Sequence, residues 1–170
     1  MKFVIVSDSH GNTWNFSEVL RRRRGRDDAL LFLGDGYRDA EAMAAEYGLG
    51  LFSVAGNCDS LFSISMLGTR PQQELLLTFE GVKILMMHGH THGVNGGVGS
   101  AADYARSRGA DVLLFGHTHV KLERYLPGEE GGRPLWIFNP GSISRPRDGS
   151  ASFGTLEVKD GSVIFGHGTV

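Results

Sequence analysis

Histidine and aspartate residues recur in this chain at spacings that suit metal binding. Six of the seven histidines fall in three short segments, Asp8-Ser9-His10, His88-Gly89-His90-Thr91-His92 and Gly116-His117-Thr118-His119. Between them lie Gly34-Asp35 and Gly56-Asn57-Cys58-Asp59, which add oxygen ligands. Imidazole combined with carboxylate and amide oxygen is a ligand mixture that can hold two divalent ions. The sequence therefore predicts a dinuclear metal site and metal-assisted hydrolysis.

The charge of such a site favours a phosphate ester as substrate. Two divalent ions carry +4 and the carboxylates of Asp8 and Asp35 carry −2, which leaves about +2 at the centre. The ions would also lower the pKa of bound water, so that a bridging hydroxide can serve as nucleophile at neutral pH. A nucleophilic side chain is then not needed.

The candidate ligands follow short apolar runs that are typical of buried strands. We expect strands at residues 3–6, 29–33, 51–55, 84–87 and 112–115, and helices at residues 12–24, 38–47 and 100–108. In folds where strands and helices alternate, ligands bind at the carboxyl ends of the strands. All five candidate ligand groups should therefore meet at one edge of a sheet.

The chain from about Leu122 onward has a different pattern. Apolar β segments at residues 122–126, 135–138, 152–158 and 162–165 follow one another without clear helices, and residues 127–134 form a polar, glycine-rich loop. This pattern predicts a second sheet. Because no linker or repeat interrupts the sequence, we expect one domain over residues 1–170.

The spacing of the ligands carries a geometric expectation. Asp8 and His10 are two residues apart, as are His117 and His119, so that an extended chain would project both members of a pair to the same side. Glycines at positions 34, 56 and 116 directly precede candidate ligands. Because glycine has no Cβ, these positions permit a sharp turn or a close backbone approach.

Composition limits the kinds of partner and the compartment. The 170 residues are 41% hydrophobic and carry a formal net charge of −2, so that no overall attraction to nucleic acid or an anionic membrane is expected. Cys58 is the only cysteine, which excludes an intrachain disulfide. The apolar run of residues 3–6 is too short for a signal peptide or membrane span. We expect a cytoplasmic protein.

In the order Asp-x-His, Gly-Asp, Gly-Asn-x-Asp, His and Gly-His-x-His, the motifs resemble those of the calcineurin-like metallophosphoesterase family. The later segment Asn139-Pro140-Gly141-Ser142-Ile143-Ser144-Arg145-Pro146-Arg147 is similar to one in the small bacterial and archaeal phosphodiesterase branch. The resemblance implies an α/β fold, a four-layer α/β/β/α sandwich of two mixed β-sheets flanked by helices. It implies a phosphodiesterase acting on a small phosphoester. The alternatives are a phosphomonoesterase or nucleotidase, or a non-catalytic protein-binding scaffold with the same fold.

The resemblance also implies roles for individual residues. One ion would be held by Asp8, His10, Asp35 and His119, and the other by Asp35, Asn57, His88 and His117, with Asp35 as the bridge. Mixed imidazole and carboxylate sites accept Mn, Fe, Ni or Zn, so the identity of the two divalent ions stays open. The candidate catalytic residues are Asn57, His88, Cys58 and Asp59.

The sequence departs from the family pattern at two positions. Arg38 stands where many members have a second aspartate after the Gly-Asp pair, and the nearest aspartate is Asp39. Cys58 replaces a histidine that contacts the phosphate in many members, a substitution that the small phosphodiesterase branch shares. We therefore transfer neither role.

Several residues keep open roles at this point. His90 and His92 could support the ligands, contact substrate or belong to a loop, and Arg145 and Arg147 could approach substrate or tie down a loop. Asn12 could cap a helix or contact phosphate, whereas His167 is assigned no function. The arginines at 21–24 and 26 are interpreted as a solvated helix end rather than a nucleic-acid site. Substrate specificity is expected to depend on loops at residues 61–73 and 93–100. The sequence does not decide whether the protein is a monomer or a homo-oligomer.

Overall fold

The structure is a computed structural model, and it describes residues 1–59, 72–128 and 132–170. In chain order its strands and α-helices are β1 (Lys2–Val6), α1 (Trp14–Arg22), β2 (Ala29–Phe32), α2 (Tyr37–Tyr47), β3 (Gly50–Ser53), β4 (Glu74–Phe79), β5 (Val82–Met87), α3 (Gly99–Ser107), β6 (Val112–Phe115), β7 (Lys121–Leu126), β8 (Leu135–Pro140), β9 (Ser152–Lys159) and β10 (Ser162–Thr169). Short 3₁₀ turns at His90–His92 and Val94–Gly96 precede α3.

The described strands form two five-stranded sheets, both mixed. One has the order β10-β9-β1-β2-β3 and the other the order β4-β5-β6-β8-β7. β1, β2 and β3 are parallel to one another, as are β5, β6 and β8, while the edge strands β4 and β7 of the second sheet run antiparallel to their neighbours. β9 pairs antiparallel with β1, and β7 with β8.

Alternate residues of each central strand pack into different cores, which produces the layers. In β1, Phe3 and Ile5 belong to the core between the two sheets, whereas Val4 and Val6 pack with the helices α1 and α2. Leu85 and Leu113 of the second sheet likewise pack against alanines of α3. Because successive side chains of a strand point to opposite faces, strands buried on both faces must be apolar throughout. The expected four-layer α/β/β/α sandwich is confirmed.

The helices form where apolar residues recur at helical spacing. In α1, Phe16, Val19 and Leu20 are buried and lie on one face, while Arg21 and Arg22 at its end pair with partly buried Glu18. α2 ends at Gly48, whose left-handed φ of 66° suits glycine. The three helices lie within two residues of their expected ends, and the arginine-rich segment is a helix end, as interpreted from the sequence.

The expectation that the β segments after Leu122 make up a second sheet by themselves is wrong. β7 and β8 join the sheet of β4, β5 and β6, whereas β9 and β10 join the sheet of β1. The chain changes sheet after Pro140, because β8 pairs parallel with β6 and β9 pairs antiparallel with β1. Sequence periodicity reports which face of a strand is buried but not which neighbour it pairs with.

Strand β4 was also missed in the sequence. Its residues are only partly buried, since it forms an edge of its sheet and contributes Leu75 and Leu77 to the core between the sheets. The expected loop at 61–73 lies mostly outside the described residues, as do positions 129–131 of the expected loop at 127–134. Among the described helices, none has the length and apolar character needed to cross a membrane.

Candidate metal centre

The candidate ligands lie where the parallel strands of both sheets end. β1 leads to Asp8 and His10, β2 leads to Asp35, β5 leads to His88, and β6 leads to His117 and His119. Main-chain hydrogen bonds continue past the strands, from Asp8 N to Gly34 O at 3.0 Å and from Gly116 N to His88 O at 3.1 Å. The loops of each sheet are therefore fixed to each other.

Five of the candidate ligands adopt a backbone conformation that non-glycine residues rarely take. The φ angles are 58° for Asp8, 47° for His10, 59° for Asp35, 65° for His117 and 58° for His119. Left-handed backbone costs an L-residue about 1 kcal/mol or more. The Asp8–His10 and His117–His119 segments are therefore not extended, so the same-side projection that an extended chain would give does not apply to them. Their side chains converge because the chain turns sharply at each ligand.

The glycines that precede the ligands allow the close approach expected of them. A Cβ on Gly56 would lie 2.0 Å from Asp35 Oδ1, and one on Gly34 would lie 2.6 Å from Gly56 N. A Cβ on Gly116 would lie 2.0 Å from Ser7 Oγ. Any larger residue would therefore push the ligand loops apart.

Asp8, His10 and His119 form one half of the cluster. Asp8 Oδ1 lies 3.2 Å from His119 Nε2 and 3.9 Å from His10 Nε2, and the two imidazole nitrogens are 3.4 Å apart. Asp8 is fully buried, and its second oxygen accepts hydrogen bonds from Ser7 Oγ at 2.6 Å and His117 N at 3.2 Å. One carboxylate oxygen is thus used by the protein, and the other faces the histidines.

Asp35, His88 and His117 form the other half. His88 Nε2 lies 3.5 Å from Asp35 Oδ2 and 3.2 Å from His117 Nδ1. Asp35 Oδ2 is also 3.8 Å from His10 Nε2, while Asp35 Oδ1 accepts a hydrogen bond from Cys58 N at 2.7 Å. Asp35 therefore contacts both halves of the cluster.

Main-chain carbonyl groups orient two of the histidines. His88 Nδ1 donates to Leu33 O at 2.7 Å, and His119 Nδ1 donates to Arg145 O at 2.7 Å. With the proton fixed on Nδ1, the lone pair of Nε2 points into the cluster, the arrangement that metal-binding histidines use.

Burial and neighbouring charge shift the pKa values of the cluster. The nearby Asp8 carboxylate raises the pKa of His119, whereas burial lowers the pKa of His10 and of His117. Burial opposes ionisation of His88, but Asp35 and Asp8 outweigh it and raise its pKa. Burial likewise disfavours the Asp35 carboxylate, yet contact with His88 holds its pKa well below the usual range.

The arrangement fits divalent metal ions. Asp8 Oδ1 is buried, and within the described ranges no donor meets it with hydrogen-bond geometry. The ligand atoms of Asp8, His10 and His119 lie within 4.8 Å of one another, as do those of Asp8, Asp35 and His88. A buried carboxylate oxygen without a partner is costly unless a cation compensates it. Carboxylate and imidazole are ligands of Mn, Fe, Ni and Zn.

The segment Asn57-Cys58-Asp59 contains the other candidate catalytic residues. Asn57 is exposed, and its amide nitrogen lies 3.4 Å from Cys58 Sγ. Cys58 Sγ lies within 4.8 Å of ligand atoms of His10 and Asp35. Burial, followed by the contact with Asp35, raises the pKa of the Cys58 thiol to about 11. The thiol is therefore protonated at neutral pH.

Asp59 contacts the main chain of the neighbouring loops. Its Oδ2 accepts hydrogen bonds from Asp35 N and Gly56 N, both at 2.8 Å, and its Oδ1 accepts from Gly36 N at 2.9 Å and Tyr37 N at 3.0 Å. Asp59 thus caps the start of α2 and fixes Asp35. A direct catalytic role of Asp59 stays a prediction.

Two groups of supporting residues were not found from the sequence. Asp39 Oδ2 accepts hydrogen bonds from Ser9 Oγ at 2.5 Å and Gly11 N at 2.9 Å, and so fixes the loop of His10. Ser142 Oγ and Ser144 Oγ both donate to Asp8 O, at 3.0 and 2.8 Å. The sequence identifies their segment only through its resemblance to a family motif. Its contacts depend on tertiary structure that spacing does not reveal.

The remaining histidines differ in their surroundings. His90 lies beside His88, with ring centroids 5.4 Å apart, and its Nδ1 is buried without a hydrogen-bond partner among the described residues. His92 packs on Tyr104 at 4.7 Å, and His167 stacks on Phe138 at 4.4 Å while bonding to Asn139 O. His92 and His167 therefore have structural contacts, and Asn12 accepts a hydrogen bond from Trp14 N at the start of α1.

A cavity of about 330 Å³ opens in front of the cluster. It is lined by His10, Gly11, Asp35, Gly36, Tyr37, Arg38, Asp39, Cys58, Asp59 and Arg145. His88 and His117 do not line it, so the cavity extends from the cluster toward α2. It offers space for a small substrate next to the candidate ligands.

Comparison with known proteins gives consistent results. The family model described as a calcineurin-like phosphoesterase superfamily domain matches residues 1–161. A probable metallophosphoesterase of Bacillus subtilis, YsnB, is 34% identical over 86% of this chain and 78% of its own length. The phosphodiesterase YfcE of Escherichia coli is 32% identical over 96% of this chain and 91% of its own. The solved YfcE structure aligns with a TM-score of 0.69 at 26% identity, and covers 99% of both chains.

Vps29 of Entamoeba histolytica, solved in complex with zinc, aligns with a TM-score of 0.74 over 99% of both chains. At 21% identity this similarity supports the fold alone.

Proposed function

Because this chain belongs to the calcineurin-like phosphoesterase superfamily, we propose that it is a phosphodiesterase that acts with two divalent metal ions. Family membership confirms the resemblance inferred from the motifs and the predicted class, a metal-dependent phosphoester hydrolase. The phosphodiesterase activity, the number of ions and the ligand assignment are the proposal. We also propose one catalytic domain over residues 1–170 and a small phosphoester as substrate.

The observation that carries the proposal is the contact of Asp35 with both halves of the cluster. Its Oδ2 lies 3.8 Å from His10 Nε2 and 3.5 Å from His88 Nε2, while Asp8 Oδ1 is buried without a hydrogen-bond partner among the described residues. The buried carboxylates need cations to compensate their charge, and the imidazoles lie in two groups that share Asp35, which suits two ions with Asp35 between them. We assign Asp8, His10, Asp35 and His119 to one ion, and Asp35, Asn57, His88 and His117 to the other.

The bound ions supply Lewis acidity and lower the pKa of water at the site. The chain's own residues hold the ligand atoms in place before the substrate binds. Leu33 O and Arg145 O fix the proton of His88 and His119 on Nδ1, so that Nε2 faces inward. Asp59 and Asp39 hold the loops of Asp35 and His10 through main-chain hydrogen bonds. Such support reduces the reorganisation that the reaction requires.

Cys58 influences which leaving groups are accepted. A protonated thiol is a weak hydrogen-bond donor and cannot provide the positive charge of an imidazolium. The departing alcohol therefore receives little help from position 58, and diesters of acidic alcohols, such as aryl esters, should react faster than alkyl diesters. A diester with one negative charge also repels an anionic nucleophile less than a dianionic monoester does. Both points favour a phosphodiesterase over a phosphomonoesterase.

The test is hydrolysis by metal-free protein and by protein reconstituted with Mn, Fe, Ni or Zn. Bis(p-nitrophenyl) phosphate, ethyl p-nitrophenyl phosphate and p-nitrophenyl phosphate share one leaving group and differ in the rest of the ester. We expect the two diesters to react faster than the monoester, and chelation to abolish all three reactions. A faster monoester would favour a phosphomonoesterase, and no metal-dependent hydrolysis at all would favour a scaffold.

A further inference from the structure

Arg145 places a positive charge at the cavity and forms no ion pair with the described residues. Arg145 is exposed and lines the cavity beside His10. Across the described ranges its guanidinium group forms no hydrogen bond or ion pair, since both contacts of Arg145 are made by its main chain. Guanidinium presents five N–H donors in a planar fork that matches the oxygens of a phosphate. The side chain is available to bind an anion.

The main chain of Arg145 is fixed to the half of the cluster that contains Asp8 and His119. Arg145 O accepts the hydrogen bond from His119 Nδ1 at 2.7 Å, and Arg145 N donates to Ser142 Oγ at 2.8 Å. Ser142 Oγ in turn donates to Asp8 O at 3.0 Å. Because the backbone position is set by these bonds, only the side chain has to be ordered when an anion binds, which keeps the entropic cost low.

The carboxylates of Asp39 and Asp59, which also line the cavity, accept hydrogen bonds from neighbouring residues. Both oxygens of Asp59 accept main-chain hydrogen bonds, and Asp39 accepts hydrogen bonds from Ser9 and Gly11. Asp35 belongs to the ligand cluster. Arg38, on the first turn of α2, lines the same wall of the cavity. Within the described part of the chain, none of these carboxylates forms a hydrogen bond or ion pair with the Arg145 guanidinium group.

We propose that Arg145 binds a second anionic group of the substrate, which makes the preferred substrates phosphodiesters whose retained alcohol carries a phosphate. This inference rests on the proposed function, because the scissile phosphate must lie at the ligand atoms of Asp8, Asp35 and His88, which converge within 4.8 Å. The cavity leads from there toward Arg38 and Arg145 and away from His88 and His117. A second phosphate on the retained alcohol enters that space.

Three aryl diesters with the same p-nitrophenyl leaving group test this directly. In 2-phosphoethyl p-nitrophenyl phosphate the retained alcohol is anionic, in ethyl p-nitrophenyl phosphate it is neutral, and in p-nitrophenyl phosphorylcholine it is cationic. We expect the wild-type kcat/KM to fall in that order. Arg145→Ala should reduce the ratio between the anionic and the neutral diester by about 10- to 100-fold, the range of a charge-assisted hydrogen bond. Arg145→Lys should restore part of the ratio, because it keeps the charge but not the fork.

Arg147→Ala is the matched control. Arg147 belongs to the same exposed segment and carries the same charge, but it does not line the cavity. Its substitution should leave the ratio within about twofold, as expected for an exposed charge. An Arg145→Ala variant with the wild-type ratio, or an equal loss in Arg147→Ala, would overturn the proposal.

Binding gives a readout that does not depend on turnover. Equilibrium dialysis of metal-reconstituted protein should show that propane-1,3-diyl bisphosphate binds more tightly than propyl phosphate, and that Arg145→Ala removes most of this difference. If the wild-type protein hydrolyses no diester but this difference is present and depends on Arg145, the proposed function fails while the anion site stands. If diesters are hydrolysed and the difference is absent, the anion site fails while the proposed function stands.

Discussion

The two ends of the sandwich use the same unusual backbone conformation for different purposes. At the opposite end from the cluster, Glu80 and Asp160 have φ angles of 47° and 50°, and each is followed by a glycine with positive φ in a two-residue hairpin. Such turns require positive φ at both central positions. Both side chains are exposed, and Glu80 accepts hydrogen bonds from the N-terminus and from Asp160 N.

At the cluster, five non-glycine residues share this conformation, but no hairpin demands it. Asp8 and Asp35 are buried there, and His10, His117 and His119 are partly buried among them. Positive φ alone therefore does not mark a functional site. In the cluster, the same conformation directs buried carboxylates and partly buried imidazoles toward one another. Burying these groups together costs free energy, which a bound cation offsets.

The largest expected effect is at Asp35, which contacts both halves of the cluster. Asp35→Asn keeps the size of the side chain and removes its charge. We expect fewer than two metal ions per chain by elemental analysis, and hydrolysis of an aryl diester reduced by at least about 100-fold, since loss of even a supporting group costs 10- to 100-fold. Full occupancy with wild-type turnover would refute the bridging assignment.

The two histidines after β6 should separate the halves of the cluster. His117→Ala and His119→Ala each remove one imidazole that we assign to a different ion, while the apolar residues of β6 remain in place. We expect each variant to retain the wild-type circular dichroism spectrum and to lose about 10- to 100-fold in hydrolysis or more. Unchanged turnover in both variants, on every phosphoester tried, would remove the catalytic role of the cluster.

Metal affinity should depend on pH through His88 and His119. Their pKa values are raised by Asp35 and Asp8 in the metal-free protein, so that both imidazoles bind protons at a higher pH than an ordinary histidine does. Since only neutral imidazole binds a metal, acidification from pH 8 to 6 should lower the affinity, with a slope that approaches about tenfold per pH unit for each proton displaced once the pH is below the raised pKa values. Calorimetric titration in buffers of different ionisation enthalpy measures the released protons. Affinity that does not change over this range would contradict the assignment.

Cys58 should have a small effect although it lies beside the cluster. Because its thiol is protonated at neutral pH, it is a weak ligand and a weak donor. Cys58→Ser should retain two ions and hydrolyse an aryl diester within about threefold of the wild type. Cys58→His should raise monoester hydrolysis if the new imidazole reaches the leaving oxygen. Loss of all hydrolysis in a folded, metal-loaded Cys58→Ser variant would reveal a direct role of the thiol.

The smallest effect is expected at the hairpin end. Asp160→Gly removes the unfavourable φ of an exposed residue and leaves the cluster untouched. Hydrolysis should be unchanged, and the free energy of unfolding should change by less than about 1 kcal/mol. A large loss of activity in this variant would show that the two ends of the molecule are coupled, which the comparison does not predict.

Sequence reasoning predicted the elements that local pattern determines. The apolar runs of β1, β2, β5 and β6 identified the strands, and the histidine spacing identified which strand ends carry ligands. It did not predict that β9 and β10 join the sheet of β1, because strand pairing is decided by partners distant in sequence. It also failed for Asp39 and Ser142, whose contacts are formed only after the loops meet. Local turns, rather than an extended chain, direct the ligands after β1 and β6 into the cluster.

The most direct test of the central claim is a titration of metal-free protein with Mn or Zn, in which bound metal per chain and hydrolysis of bis(p-nitrophenyl) phosphate are measured at each addition. If two ions act together around Asp35, activity should rise mainly as the second equivalent binds and should disappear on chelation. Full activity with one ion per chain, or activity that survives complete removal of metal, would contradict the account.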